Sequence, residues 1–384
     1  MLTHDGLKRD VARRIARVQQ MMADKDLAVL IVVGNGGPGG LGAVRYITNA
    51  HLWAGSCYAV LGREDPDPWV EIWSSYQAVW TRNETTTDPD RVESPDNVVA
   101  RTAQLARQYA GRSGRIGMVN MSRVLSVGEH KAFMQALEGY DVVEVTADYN
   151  AIRQIKSPFE LEAMQQNGAI LDASLDVFAE RARVGARYWE VCAAVEAFVK
   201  SHGAFWGRTK LSLDLTPYTV PPPKALRMKM DDIINFEIVY ESPWGYWLEM
   251  TTIFSFIDLP DEVAQMLAGY LRAVESSSAL LRPGNTLRMI SEENDRTLRA
   301  LGFPVAGKHT PDCHSTGLDG SDGPSSDAAP DFVLQANMVL SYHPGTVLDH
   351  NRGFLISDNF LVTPQGGVRL SPHTAERYHI RLQA

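Results

Sequence analysis

Two stretches of this 384-residue chain carry one pattern 99 residues apart, and that repeat constrains the fold more than any single motif. Val184-Gly185 is followed 18 residues later by Gly203-Ala204-Phe205, and Pro283-Gly284 is followed 18 residues later by Gly302-Phe303-Pro304. Between the glycines the spacing is helical: Tyr188, Val191, Val195 and Phe198 in one copy, Leu287, Ile290, Asn294 and Leu298 in the other. Each copy then runs into strand-like segments. Two helix-plus-strand halves about a pseudo-twofold axis would set Glu237 opposite His343 and Glu249 opposite Ser357.

Those strands carry side chains that are costly to bury. Residues 233–237, 247–251, 338–343 and 353–358 are apolar runs bearing Glu237, Glu249, His343 and Ser357-Asp358, and His314 lies in the segment 313–319. A charge on a buried strand needs a partner, a metal or a substrate. Taken singly, each is explained by an internal salt bridge or a backbone hydrogen bond. Together they mark a shared polar site.

Net charge is −9 with no dense Lys/Arg run, which argues against nucleic acid and against an anionic membrane surface. The longest aliphatic run, Leu27–Val33, is far short of a membrane span, and no secretory signal is visible. Cys57, Cys192 and Cys313 have no metal or redox spacing and fit a reducing compartment, so a cytoplasmic protein is expected.

The first 150 residues read as an α/β domain, with helices at 7–25, 97–110 and 127–138. Strands are expected at 27–33, 57–61, 70–73, 115–118 and 142–144. The glycine run 34–40 lacks the Gly-Lys-Ser/Thr and G-x-G-x-x-G spacings of phosphate loops and reads as a plain loop. His51 and Trp53 are candidate ligand contacts, with core packing the alternative. Ser157-Pro158-x-Glu160 reads as a helix start with a capping box.

Arg153-x-Ile155-Lys156-Ser157-Pro158-x-Glu160, Gly245-Tyr246, Gly317-Leu318-Asp319, Asn337-Met338-Val339, Pro344-Gly345 and Leu361-Val362-Thr363, in this order, resemble the pita-bread family of prolidase, aminopeptidase P, creatinase and ectoine hydrolase. The resemblance implies an α/β N-terminal domain over 1–152. It implies an α+β pita-bread domain over 153–384 with an internal pseudo-twofold.

In the family's peptidases two aspartates, a histidine and two glutamates hold two divalent metals. By the resemblance Glu237 and Glu249 stand for the aspartates, His314 for the histidine, His343 for the first glutamate and Ser357 for the last. Ser321-Asp322 falls where a further histidine is expected, and residues 219–223 carry no substrate histidine. Without a carboxylate at Ser357 a bridged metal pair loses a ligand.

Three readings follow. The preferred one is a metal-independent hydrolase of a C–N bond in a small amidine, amide or cyclic amino-acid derivative, similar to creatinase and ectoine hydrolase. Glu249, Glu237, His314 and His343 would be catalytic, with Tyr246, Trp247, Tyr218, His51 and Trp53 at the substrate. The second is a single-metal enzyme on Glu249, His314 and His343, whether hydrolase, lyase or decarboxylase, or an Xaa-Pro dipeptidase-like enzyme. The third is a non-catalytic binding protein. Tryptophans near Glu249 are expected to raise its pKa for base or nucleophile work. The resemblance also implies a homodimer with His51 and Trp53 near the partner's site.

Overall fold

The computed structural model describes residues 2–37, 39–213, 215, 226–305, 312–344, 346–347, 353–354 and 356–383. They fall into two compact units. One is Met1–Phe159 with Leu318–Asp322, and the other is Glu160–Gly317 with Gly323–Ala384.

The first unit carries α1 (His4–Asp24), β1 (Leu27–Asn35), α2 (Gly42–Thr48), β2 (Ser56–Gly62), β3 (Trp69–Ile72) and α3 (Ser75–Glu84). It continues with β4 (Val92–Glu93), α4 (Val98–Ala110), β5 (Arg115–Val119), α5 (Val127–Ala136), β6 (Val142–Glu144) and α6 (Thr146–Gln154). Its six strands form one mixed sheet in the order β4-β3-β2-β1-β5-β6. β1 is aliphatic from Leu27 to Val33 because that stretch is covered on both faces, with Val29, Ile31 and Val33 packing on Phe133, Met118 and Ala106.

Within this unit Arg153 Nη2 meets Asp319 Oδ2 at 2.8 Å and Lys156 Nζ meets Asp322 Oδ2 at 3.3 Å, all four side chains buried or nearly so. Asp319 Oδ1 also accepts from the Gly42 amide at 3.0 Å. The two motifs read separately at residues 153–156 and 317–319 are thus ends of one ion-pair cluster.

The second unit opens on α7 (Pro158–Arg181) and α8 (Tyr188–Ser201), then β7 (Gly207–Leu213), β8 (Ile233–Glu241) and β9 (Trp247–Ser255). It repeats the plan with α9 (Asp261–Ser278), α10 (Leu287–Ala300), β10 (Cys313–Ser315) and β11 (Val339–Tyr342). After these come β12 (Thr346–Val347), β13 (Gly353–Phe354), β14 (Asp358–Thr363), β15 (Gly366–Arg369) and β16 (His379–Arg381). One sheet runs β16-β9-β8-β7, another β10-β11-β14-β15, and β12 pairs with β13.

The repeat is real at the backbone. Gly185 and Gly284 have φ of 87° and 92°, and Gly203 and Gly302 have 93° and 85°, left-handed turns that favour glycine. Both helices are 14 residues long, with buried faces Tyr188, Val191, Val195, Val199 and Leu287, Ile290, Asn294, Leu298. The fourth position of the first copy is Val199. Phe198 is half-buried, its ring 4.4 Å from His202. Asn294 is polar because it accepts a hydrogen bond from the buried Tyr342 hydroxyl at 2.9 Å. Behind the site, Phe236 and Phe254 pack on Phe178 of α7 with ring separations of 4.6 and 4.2 Å.

Candidate active site

β7, β8 and β9 are antiparallel with continuous register, so alternate residues share one face. On that face Lys210 pairs with Glu237 and Glu237 with Thr251. One rung on, Val239 pairs with Glu249. Glu237 and Glu249 are therefore diagonal neighbours. Phe236, Ile238 and Met250 point the other way into the core.

The second sheet supplies the imidazoles. His314 sits in β10 opposite Ser341 of β11, which is opposite Asn359 of β14. His343 follows β11, its amide donating to the Asp312 carbonyl at 2.8 Å. Asn359 joins the two sheets: it accepts from Ser341 Oγ at 3.0 Å and donates Nδ2 to the Glu249 carbonyl at 2.6 Å. The Thr251 amide donates to the Ser357 carbonyl at 3.0 Å.

The resulting contacts reverse the pairings expected from the pseudo-twofold. Glu249 Oε1 lies 3.4 Å from His343 Nε2 and 3.5 Å from His314 Nε2, while Ser357 Oγ donates to Glu237 Oε1 at 3.3 Å. The cause is the hairpin register. It carries Glu249 one rung away from Thr251, the residue that binds the Ser357 backbone, so Ser357 meets Glu237 across the Thr251 rung instead.

Two residues absent from the sequence reading complete the site. Lys210 Nζ lies 2.5 Å from Glu237 Oε2, and Asn359 fixes the Glu249 backbone. Lys210 was signalled by the period-two run Arg208, Lys210, Ser212, and Asn359 by its place beside Asp358. Asp358 itself is buried and accepts from Arg369 Nε at 2.7 Å and the Tyr378 hydroxyl at 2.8 Å, a structural role.

Electrostatics separate the two carboxyls. Burial, and then the neighbouring Glu249 charge, push Glu237 above its ordinary value, against the pull of Lys210 and Ser357. Burial also opposes ionisation of Glu249, but the His314 contact, the charges of both histidines and Lys210 outweigh it and hold it at about 2. The expected rise at Glu249 is thus a fall, because imidazoles rather than indoles face its oxygens. Burial lowers His343, with Glu249 opposing.

Among the described residues, Glu249, His314 and His343 are three whose donor atoms all lie within 4.8 Å of one another. Donors around a tetrahedral ion with bonds of ~2.1 Å stand about 3.4 Å apart, which is the spacing measured from Glu249 to both imidazoles. Glu249 Oε1 is buried with no hydrogen bond, as a donor facing a cation site would be. Glu249 is held ionised and burial moves His343 toward its neutral form, the direction that ligation requires of both. The set fits one divalent ion.

The remaining candidates are spread out. Trp247 is buried on the same face of β9 as Glu249. Tyr246 is buried, its hydroxyl donating to Glu160 Oε1 at 3.3 Å and its carbonyl accepting from Asn167. Tyr218 lies outside the described residues. In the first unit His51 sits 3.2 Å from Arg45 Nη2, and burial followed by the Arg45 charge lowers it well below its usual value. Trp53 is 54% exposed, 6.3 Å from the Tyr76 ring.

With this geometry in view, the comparisons with known proteins are specific. Residues 162–364 match the model of metallopeptidase family M24, and residues 14–155 match that of the creatinase/prolidase N-terminal domain. The chain is similar to an uncharacterized peptidase of Staphylococcus aureus, 22% identical over 256 residues, 64% of this chain and 70% of that protein. In structure it is similar to an X-Pro aminopeptidase from Thermotoga maritima, with TM-score 0.82, 16% identity, and 95% of this chain and 99% of that one covered. It is also similar to a prolidase from Pyrococcus horikoshii, with TM-score 0.79, 18% identity, and 95% and 99% covered. At these identities the structural likeness concerns the fold, which is α/β followed by pita-bread.

Proposed function

Because this chain belongs to metallopeptidase family M24, a family of hydrolases, we propose that it cleaves an amide C–N bond in a small, dipeptide-sized substrate at a site suited to one divalent ion. The observation that carries this reading is the three-donor group Glu249, His314 and His343. The names of its relatives, a peptidase, an X-Pro aminopeptidase and a prolidase, support a peptide-like substrate.

The chain's own residues divide the work by their environments. Glu249 stays ionised at working pH and acts as ligand and charge anchor. Glu237, raised by burial and by its neighbour, is the carboxyl moved toward the range where a base exchanges protons with an attacking water. Lys210 orients Glu237, and Asn359 holds Glu249 in register. A bound ion would supply Lewis acidity toward a carbonyl oxygen or a water. Trp247 gives the face an apolar wall for a small side chain.

A metal-independent, creatinase-like reaction is the second reading. Its support is that two imidazoles lie within 3.5 Å of Glu249, where they could pass a proton to a leaving nitrogen. As part of either reading we take the chain to be a cytoplasmic homodimer. All three cysteines are free and buried, no helix among the described residues is long and apolar enough to cross a membrane, and Trp53, Trp73 and Tyr76 are exposed. A monomer by light scattering at micromolar concentration would remove the dimer.

The test is turnover of a panel of dipeptides and small cyclic amides by protein stripped with chelator, then resupplied with Mn²⁺, Co²⁺ or Zn²⁺. Dipeptide cleavage restored by one ion per chain is expected. Full activity in chelator would favour the second reading, and two tightly held ions per chain would contradict both.

A further inference from the structure

We propose that the Lys210 ammonium is the resident second cation of this site, holding the place beside Glu237 and limiting the site to one divalent ion. The inference builds on the one-ion reading above, and it concerns a different carboxylate.

Glu237 and Glu249 lie on one face, one diagonal step apart, and both are buried. Two buried carboxylates need two sources of positive charge. Glu249 faces the imidazoles. Glu237 faces Lys210, its direct cross-strand partner, with Nζ 2.5 Å from Oε2. The Lys210 side chain is 21% exposed and that of Glu237 only 2%, so the ammonium reaches inward from the rim to a buried carboxylate.

Ser357 Oγ takes the other oxygen at 3.3 Å, so both Glu237 oxygens are held by this chain's own donors. A protonated lysine offers three donors and no lone pair, so it cannot join a coordination sphere. A divalent ion placed on Glu237 would instead stand against a fixed like charge. The fold thus supplies a cation that no chelator removes.

The experiment counts ions in the full-length chain. Protein stripped with EDTA is titrated with Mn²⁺ by calorimetry, and ions per chain are measured by mass spectrometry after gel filtration. The wild type should hold one ion, Lys210→Ala should hold one more, and Lys210→Arg should match the wild type. Lys210→Gln, which keeps a hydrogen bond to Glu237, should also gain an ion and guards against a misfolded alanine variant. The inference is overturned if the wild type holds two ions, or if neither neutral variant exceeds it. A wild-type count of zero would instead sink the one-ion reading, while the increment between wild type and the neutral variants would still decide the role of Lys210.

Discussion

Replacing Glu249 by Gln keeps the shape of the side chain and removes one charge, so its consequences follow from the contacts of that charge. Glu249 Oε1 lies within 3.5 Å of two imidazole nitrogens, and its pKa falls from an ordinary 4.5 to about 2. At 1.36 kcal/mol per pH unit, that difference is worth about 3 kcal/mol of folding stability. The folded value is the depressed one. The stability is therefore present above pH 4.5 and is lost as pH falls through the interval from 4.5 to about 2, and the share that comes from imidazole charge fades where those rings are neutral.

Urea unfolding in chelator, so that ion binding does not contribute, should find Glu249→Gln less stable than the wild type by about 3 kcal/mol at pH 5, with a smaller gap at pH 7 where His343 is neutral. The gap should close as both proteins are taken toward pH 2. Turnover of the preferred substrate should fall by ~10²-fold or more, the scale of a removed charged catalytic group. Equal stability of the two proteins at pH 5 would refute the imidazole–carboxylate account. Near-normal turnover would move the anchoring role to another residue.

Glu237→Gln should abolish the acid limb of the kcat/KM pH profile, because a base must be deprotonated to act; a limb unchanged in the variant would exclude Glu237. Asn359→Ala should cost about 2 kcal/mol in a urea melt, through the lost bonds to Ser341 and the Glu249 carbonyl, and lower kcat by ~10-fold. Glu71, buried on β3 opposite Glu93, is raised by burial and then by the Glu93 charge to about 8. The folded chain then binds the extra proton between pH 4.5 and 8, so stability should decline as pH rises across that window. Glu71→Gln should flatten that decline and exceed the wild type in thermal melts at pH 8, and parallel curves would count against it.

The repeat, the helix faces and the four polar candidates were legible because they depend on local period. A glycine pair 18 residues apart fixes a helix between two left-handed turns, and a charged residue in an apolar run marks a strand that faces a site. Which strand residue meets which is set by hairpin register, which local period does not encode. Hence Glu237 and Glu249 were identified while their partners were exchanged, and the fourth helix position was read at Phe198 when the buried residue is Val199.

Register also explains why the decisive residues were silent. Lys210 looks like a solvated strand residue until β7 is laid beside β8, when it becomes the direct neighbour of a buried carboxylate. Asn359 looks like part of a turn with Asp358 until β14 is laid beside β11, when it lies between Ser341 and the Glu249 backbone. The sign of the Glu249 shift was misread for the same reason. Sequence proximity to Trp244 and Trp247 implied an apolar setting, whereas the groups within reach of its oxygens are His314 and His343, brought from residues 65 and 94 positions away. A carboxylate takes its acidity from what faces its oxygens, and on a sheet those neighbours come from other strands.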